Sequence, residues 1–198
     1  MSLHRGMKLI GATALLASTP ASAHTGTGLA GGFVSGFVHP LTGFDHLLAM
    51  VSVGLWGAFL GRPLIYVLPV VFPVVMVFGA ALGMFDVRVP AVEIGVALSV
   101  VVLGSCIAMA FRAPVWVACA TVGAFAIFHG YAHGRELPSA ADPVGYSAGF
   151  VLATGMLHVT GIGIGFLNEK PVGVPLTRGV GGLIAVAGVW FLYRAVTP

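Results

Sequence analysis

Long apolar segments, separated by short polar or proline-containing junctions, dominate the hydrophobic pattern of this chain. Five of these segments hold about 20 mostly apolar residues, the length that an α-helix needs to cross a lipid bilayer. We therefore predict membrane-spanning helices at residues 64–84, 89–111, 114–133, 143–166 and 174–193. Glycine pairs spaced by four residues, such as Gly79 and Gly83, predict close packing between these helices.

The first apolar segment is interrupted. Residues 29–38 form a glycine-rich half-segment, His39-Pro40 breaks the pattern, and residues 44–60 resume it. Interrupted segments at membrane depth are tolerated where they face protein or an aqueous cavity, and they mark substrate sites in many transporters. The predicted fold is therefore all-α: a polytopic membrane helix bundle of about six transmembrane helices with a broken first span.

The N-terminal residues have the layout of a secretory signal peptide. Arg5 and Lys8 precede an apolar stretch at residues 9–18, and the small residues of "ASA" follow at residues 21–23. The apolar stretch is too short to span a bilayer. We predict a signal peptide at residues 1–23 and a single transmembrane domain at residues 24–198, with the mature N-terminus outside the cytoplasm. An uncleaved membrane anchor is the alternative.

The composition agrees with a membrane protein, since 58% of the residues are hydrophobic, 8% are charged, and the mean hydropathy is +1.04. Signal-peptide cleavage would remove two basic residues and lower the formal net charge from +3 to +1. The net charge is therefore not evidence for an anionic partner. Nothing resembles the basic, aromatic-rich surface of a nucleic-acid binder. Cys106 and Cys119 lack a CxxC spacing, and we interpret them as small buried hydrophobic residues.

Ionisable residues inside apolar segments are costly, so each of them requires a partner or a function. The residues in question are His39, Asp45 and His46 in "HPLTGFDH", Glu93, and His129, His133 and Glu136 in "FHGYAHGRE". Counting spans places all of them on one side of the membrane, which a cleaved signal peptide makes the outer side. Imidazole nitrogen and carboxylate oxygen are suitable ligands for Zn, Ni, Co, Cu and Fe. The sequence therefore predicts one metal site.

Two further histidines are secondary candidates. His158 lies about 22 Å from the outer end of its predicted helix, which is too deep for this site. It could be a lower way-station for the ion, a proton acceptor, or a residue that makes a structural hydrogen bond. His24, as the first mature residue, could chelate a metal through its amine and its ring, or be a plain processed end. Arg135 is expected to pair with Glu136 or Asp142.

The chain resembles the HupE/UreJ family in two long motifs, "HPLTGFDHLLAMVSVGLW" and "FHGYAHGRE", and in "GMLH" at residues 155–158. The resemblance covers the mature chain. It implies a multi-pass secondary permease of the bacterial inner membrane that carries Ni²⁺, or in some branches Co²⁺, often for hydrogenase or urease maturation. The metal ion is then the substrate rather than a tightly bound cofactor, and the protein is not an enzyme. The positions that match the family's functional residues are His39, Asp45, His46, Glu93, His129, His133 and Glu136.

Two other interpretations stay open. In a membrane-embedded metalloenzyme, His129 and His133 would hold a catalytic ion and Glu136 would act as acid or base; the scarcity of loop residues to shape a substrate pocket disfavours this. A metal sensor or accessory protein would bind the ion without transporting it. The chain contains no P-loop motif, so no ATP-driven step is predicted. The ligand types do not rank nickel above cobalt or zinc, and the oligomeric state is not predicted.

Overall fold

The computed structural model describes residues 29–136 and 142–197, which form seven α-helices and a short 3-10 helix at residues 166–169. No β-strand occurs in those two ranges, so the predicted all-α fold is confirmed for them. The predicted signal peptide and His24 lie outside the described residues. The helices are α1 Leu29–Thr42, α2 Phe44–Leu60, α3 Leu64–Met84, α4 Val92–Ala108, α5 Val115–Glu136, α6 Pro143–Gly165 and α7 Gly173–Val196.

Four of these helices are long and apolar enough to cross a bilayer: α3, α5, α6 together with the 3-10 helix, and α7. The bent pair of α1 and α2 passes the same test jointly and would make a fifth span. Helix α4 is apolar but has only 17 residues, fewer than the about 20 that a span usually needs. It is shorter than the predicted segment because Ala91 and Ala110, just beyond its ends, adopt left-handed backbone conformations.

The break in the first segment lies at Gly43 and not at the predicted His39-Pro40. Helix α1 continues through Pro40, since the fixed φ of proline suits a helix and only one backbone hydrogen bond is lost. Gly43 is extended, with φ −84° and ψ 102°, and the two helices bend by 81° at this point. His39 therefore ends one helix, while Asp45 and His46 begin the next.

Glycines bring the helix backbones into direct contact. The most extensive packing joins α3 to α5, α4 to α7, and both α1 and α2 to α6. A β-carbon added at Gly79 or Gly83 would overlap a backbone carbonyl oxygen of α5, which confirms the predicted packing role of this pair. Cys106 and Cys119 are free thiols that pack against the main hydrophobic core; they are half-buried and not fully buried as predicted.

The pairing predicted for Arg135 is wrong. Its guanidinium forms an ion pair with Asp86, in the loop that follows α3, because the packing of α3 on α5 brings these two helix ends together. Asp142 instead caps α6 by accepting a hydrogen bond from the Val144 backbone N–H at 3.1 Å. The Glu136 carboxylate turns toward α1.

Candidate metal centre

The bend between α1 and α2 places three of the predicted residues next to one another. His39 lies in the last turn of α1, and Asp45 and His46 lie in the first turn of α2. Asp45 Oδ1 accepts two hydrogen bonds of 2.8 Å from His46, one from its backbone N–H and one from ring Nδ1. Because a carboxylate only accepts, the His46 ring proton is on Nδ1 and its Nε2 carries a lone pair.

The end of α5 supplies the other half of the site. His129 and His133 are one turn apart on the buried face of the helix, and Glu136 is three residues further on. Gly130 and Gly134 directly follow the two histidines, and a β-carbon added at either glycine would overlap a carbonyl oxygen of α3. These two glycines therefore set how closely the histidine-bearing helix approaches α3.

Glu136 joins the two halves by sharing one carboxylate oxygen between two imidazoles. Its Oε2 lies 3.0 Å from His39 Nε2 and 3.4 Å from His133 Nδ1. Two ligands of one ion, each bound at about 2.1 Å, lie about 3.0–3.4 Å apart in octahedral or tetrahedral geometry. We call His39, His133 and Glu136 the mixed cluster. One donor atom from each residue lies within 4.8 Å of the others, so a modest contraction would let them hold an ion.

His46, His129 and His133 form a second group, which we call the imidazole cluster. The His46 ring centroid lies 4.8 Å from that of His129 and 4.6 Å from that of His133. The atoms His46 Nε2, His129 Nδ1 and His133 Nε2 are buried and have no hydrogen-bond partner within the described residues. Among the described residues, only the mixed cluster has three donor atoms that all lie within 4.8 Å of one another. Buried polar atoms are normally paired, so unpaired nitrogens on three neighbouring imidazole rings still point to a polar ligand such as a transition-metal ion.

Ser99 on α4 fixes the proton of His129, and the sequence analysis did not single it out. Its hydroxyl donates to the Val96 carbonyl at 2.6 Å and also lies 2.9 Å from His129 Nε2. We assign the one proton of Ser99 to its shorter contact, that with the Val96 carbonyl. Ser99 Oγ then accepts from Nε2–H, and the lone pair of the ring is on Nδ1. Nothing in the sequence marks Ser99, but the structure explains its position: Gly95, four residues earlier on the same helix face, packs on Phe128, next to His129.

Aromatic side chains of α3 and α6 enclose the histidines, and these were also missed. The Phe72 ring lies 5.5 Å from the His129 ring, and the Phe150 ring lies 4.3 Å from that of His133. A cavity of about 90 Å³ between α3, α5 and α6 reaches His133. Nothing in the sequence distinguishes these phenylalanines from the many other apolar residues of the chain.

The exposure of the site side chains falls from the surface inward. The exposed fractions are 53% for Glu136, 33% for His39, 16% for His46, 6% for His133 and 0% for His129. An ion that entered along this series would first meet a hydrated carboxylate and would meet the buried imidazoles only after losing water.

Three of the predicted residues that the structure describes lie outside these clusters. Asp45 contacts the imidazole cluster through His46, and the other two lie further away. Glu93 is exposed in the first turn of α4 and belongs to no group of potential metal ligands among the described residues. It precedes Ser99 by six residues, so along α4 it lies about 9 Å beyond Ser99, toward the histidine-bearing end of the bundle. His158 is buried on α6, and its ring lies 5.6 Å from that of Phe72, which also contacts His129.

Comparison with known proteins supports the family that the motifs indicated. The profile of the family described as HupE / UreJ protein matches residues 12–191. The chain is 42% identical over 174 residues to Protein HupE of Rhizobium leguminosarum bv. viciae, which covers 87% of this chain and 91% of that relative. No solved structure is significantly similar. On both the profile and the identity to this relative, the chain belongs to the HupE/UreJ family.

Proposed function

We propose that this protein is a secondary permease for divalent transition-metal ions and that Ni²⁺ is its main substrate. The observation that carries the proposal is the contact between the two clusters. A carboxylate shared by two imidazoles lies beside buried imidazole nitrogens whose protons are held elsewhere. Nitrogen and oxygen donors of this kind suit divalent first-row metal ions. Membership of the HupE/UreJ family supports a transport role.

The two clusters would act in sequence. The half-exposed mixed cluster receives the hydrated ion, and the Glu136 carboxylate replaces part of its water. The imidazole cluster takes over further ligand positions, while Asp45 and Ser99 keep protons away from the ligand nitrogens of His46 and His129. His133 belongs to both clusters and links them. A transport site must bind well enough to dehydrate the ion and weakly enough to release it, and a cluster of neutral imidazoles meets both conditions.

We also propose that the histidine-bearing end of the bundle faces outside the cytoplasm and that the protein lies in the bacterial inner membrane. This orientation rests on the signal peptide predicted at residues 1–23. The imported ion would serve maturation of a metalloenzyme such as a hydrogenase or urease, as the family membership suggests. Transport without ATP follows from the lack of a P-loop motif in the sequence. Co²⁺ is the alternative substrate, because the same ligands bind it.

Uptake of radiolabelled Ni²⁺ by cells tests this proposal, with Co²⁺ as competitor and matched membrane levels of each variant. We expect uptake to be lost in both His46→Ala and His133→Ala, because each change removes a ligand from a different motif. Thr160→Ala, a change at an exposed side chain of α6, is the control. Wild-type uptake no greater than that of cells lacking the protein would refute the proposal.

Purified protein in proteoliposomes separates the remaining interpretations. Ni²⁺ flux driven by a concentration gradient, with no other protein present, is expected for a permease. Metal binding without flux would instead favour a sensor or accessory protein.

A further inference from the structure

A buried polar group on α6 lies deeper than the imidazole cluster and belongs to neither cluster. Thr154 and His158 are four residues apart on one face of the helix, and each is 1% exposed. Counted from Pro143 at the start of α6, His158 lies about 22 Å along the helix axis. Thr154 Oγ1 and both ring nitrogens of His158 are buried without a hydrogen-bond partner among the described residues.

The unpaired hydroxyl of Thr154 differs from other helical hydroxyls of this protein. Ser52, Thr160 and Thr177 each donate to a carbonyl oxygen of their own helix, which is the usual way in which an apolar helix accommodates a hydroxyl. Thr154 makes no such bond. Because an unpaired buried hydroxyl is costly, its position favours a partner other than the backbone.

Helix α3 adds a backbone oxygen at the same depth. The Pro69 carbonyl would normally accept a hydrogen bond from the N–H of residue 73, but Pro73 has none. The His158 ring faces the Pro69 backbone, although neither ring nitrogen reaches hydrogen-bonding geometry with a described group. Carbonyl oxygens exposed by interrupted helices coordinate ions in many membrane transporters. The His158 ring and the Pro69 carbonyl therefore face one buried region, and Thr154 lies one turn away from His158 on the same face of α6.

Phe72 contacts both this region and the imidazole cluster. Its fully buried ring is 5.5 Å from the His129 ring and 5.6 Å from the His158 ring, centroid to centroid. The two imidazoles are therefore no more than about 11 Å apart. The face of an aromatic ring attracts a cation, so contact with Phe72 is compatible with the passage of an ion between the two regions.

We propose that His158, Thr154 and the Pro69 carbonyl form a deep site that binds the transition-metal ion after it leaves the imidazole cluster. The inference rests on the proposed permease function and extends it inward. With one imidazole and no carboxylate, the deep site binds more weakly than the two clusters. Weak binding is what the last site before release requires.

His158→Gln tests the deep site, because glutamine keeps a polar side chain at this position while the imidazole ligand is lost. Ni²⁺ flux into proteoliposomes should fall at least about tenfold. Co²⁺ affinity in lipid nanodiscs, which reports the two clusters, should stay within about twofold. Thr154→Val should also lower flux, whereas Thr160→Val, on the exposed side of the same helix, should not. Wild-type flux in His158→Gln would overturn the deep site, as would equal losses of flux and affinity.

A second substitution tests ligation independently of helix packing. His158→Cys introduces a soft sulfur donor, which favours Cd²⁺ over Ni²⁺. The ratio of Cd²⁺ to Ni²⁺ flux should rise about tenfold relative to Thr160→Cys, and an unchanged ratio would overturn the proposal. Failure of the permease function itself would look different, because the wild-type protein would then carry neither Ni²⁺ nor Co²⁺.

Discussion

Replacing Ser99 with alanine tests whether the position of a proton makes the imidazole cluster a set of metal ligands. The substitution removes a fully buried oxygen that accepts the Nε2–H of His129 at 2.9 Å. The His129 ring keeps its neighbours, Phe72 and His46, on its other sides. The perturbation is therefore largely confined to the proton and its acceptor.

The expected loss follows from the cost of an unpaired buried donor. A buried N–H without an acceptor costs about 1–3 kcal/mol. Without Ser99, neither ring nitrogen of His129 has an acceptor for its N–H among the described residues. The proton is then no longer held on Nε2 and can occupy Nδ1, where it blocks the lone pair that would bind the metal. Since 1.4 kcal/mol corresponds to a factor of ten in affinity, metal affinity should fall about 5- to 150-fold. Losses of about 10- to 100-fold are typical when a metal-bound histidine loses the acceptor of its other N–H.

Co²⁺ binding to the purified protein, followed by its visible absorption, measures the affinity, and Ni²⁺ uptake by cells measures the functional consequence. Ser52→Ala is a matched control, because Ser52 is also fully buried and its hydroxyl donates to the Leu48 carbonyl of its own helix. The control should bind Co²⁺ within about twofold of the wild type. Equal affinities for the Ser99 and Ser52 variants would refute the reasoning, since the proton position would then not affect binding.

Three further predictions concern packing, the carboxylate and pH. Gly130→Ala adds a β-carbon that overlaps the Met76 carbonyl oxygen, so α5 must move and Ni²⁺ uptake should fall at least about tenfold. Gly155→Ala, with open space around the added β-carbon, should transport normally. Equal uptake by the two variants would contradict the packing argument. Asp45→Asn keeps an acceptor for His46 Nδ1–H but loses the charge, so Co²⁺ affinity should fall about tenfold. Asp45→Ala also loses the acceptor, so Co²⁺ affinity should fall about 100-fold. A Co²⁺ titration that reverses this order would count against an orienting role for Asp45. Uptake should decrease as the pH is lowered from about 7 to 5.5, because protons compete with the metal ion for the imidazole nitrogens; an increase would argue against direct ligation.

The residues of the two motifs could be identified from the sequence because ionisable groups in apolar segments are rare. Helical spacing put His129 and His133 on one face, and the count of spans put His39 and His46 at the same end of the bundle; the structure has both features. Their division into two clusters was not predictable, because it depends on the bend at Gly43. Metal binding by these residues stays a prediction.

Neutral residues were harder to predict than charged ones. Ser99 and Phe72 contact His129. Burial of a serine or a phenylalanine in an apolar helix, however, carries no large free-energy cost that would mark the residue as functional. The charge of Glu93 did mark it, although charge alone does not say which way a side chain points. The ends of α4 were missed for a related reason, since hydropathy does not detect the left-handed backbone of Ala91 and Ala110.

The acceptors of the histidine protons also affect how tightly each imidazole binds the metal ion. The Asp45 carboxylate holds the proton of His46, whereas the neutral Ser99 hydroxyl holds that of His129. An anionic acceptor makes the opposite ring nitrogen a stronger metal ligand than a neutral acceptor does. His129, which has the neutral acceptor, is also more deeply buried than His46. Affinity for the metal ion should therefore fall as the ion moves inward. Removing the acceptor should therefore reduce affinity more at Asp45 than at Ser99, and this order depends on the acceptors alone.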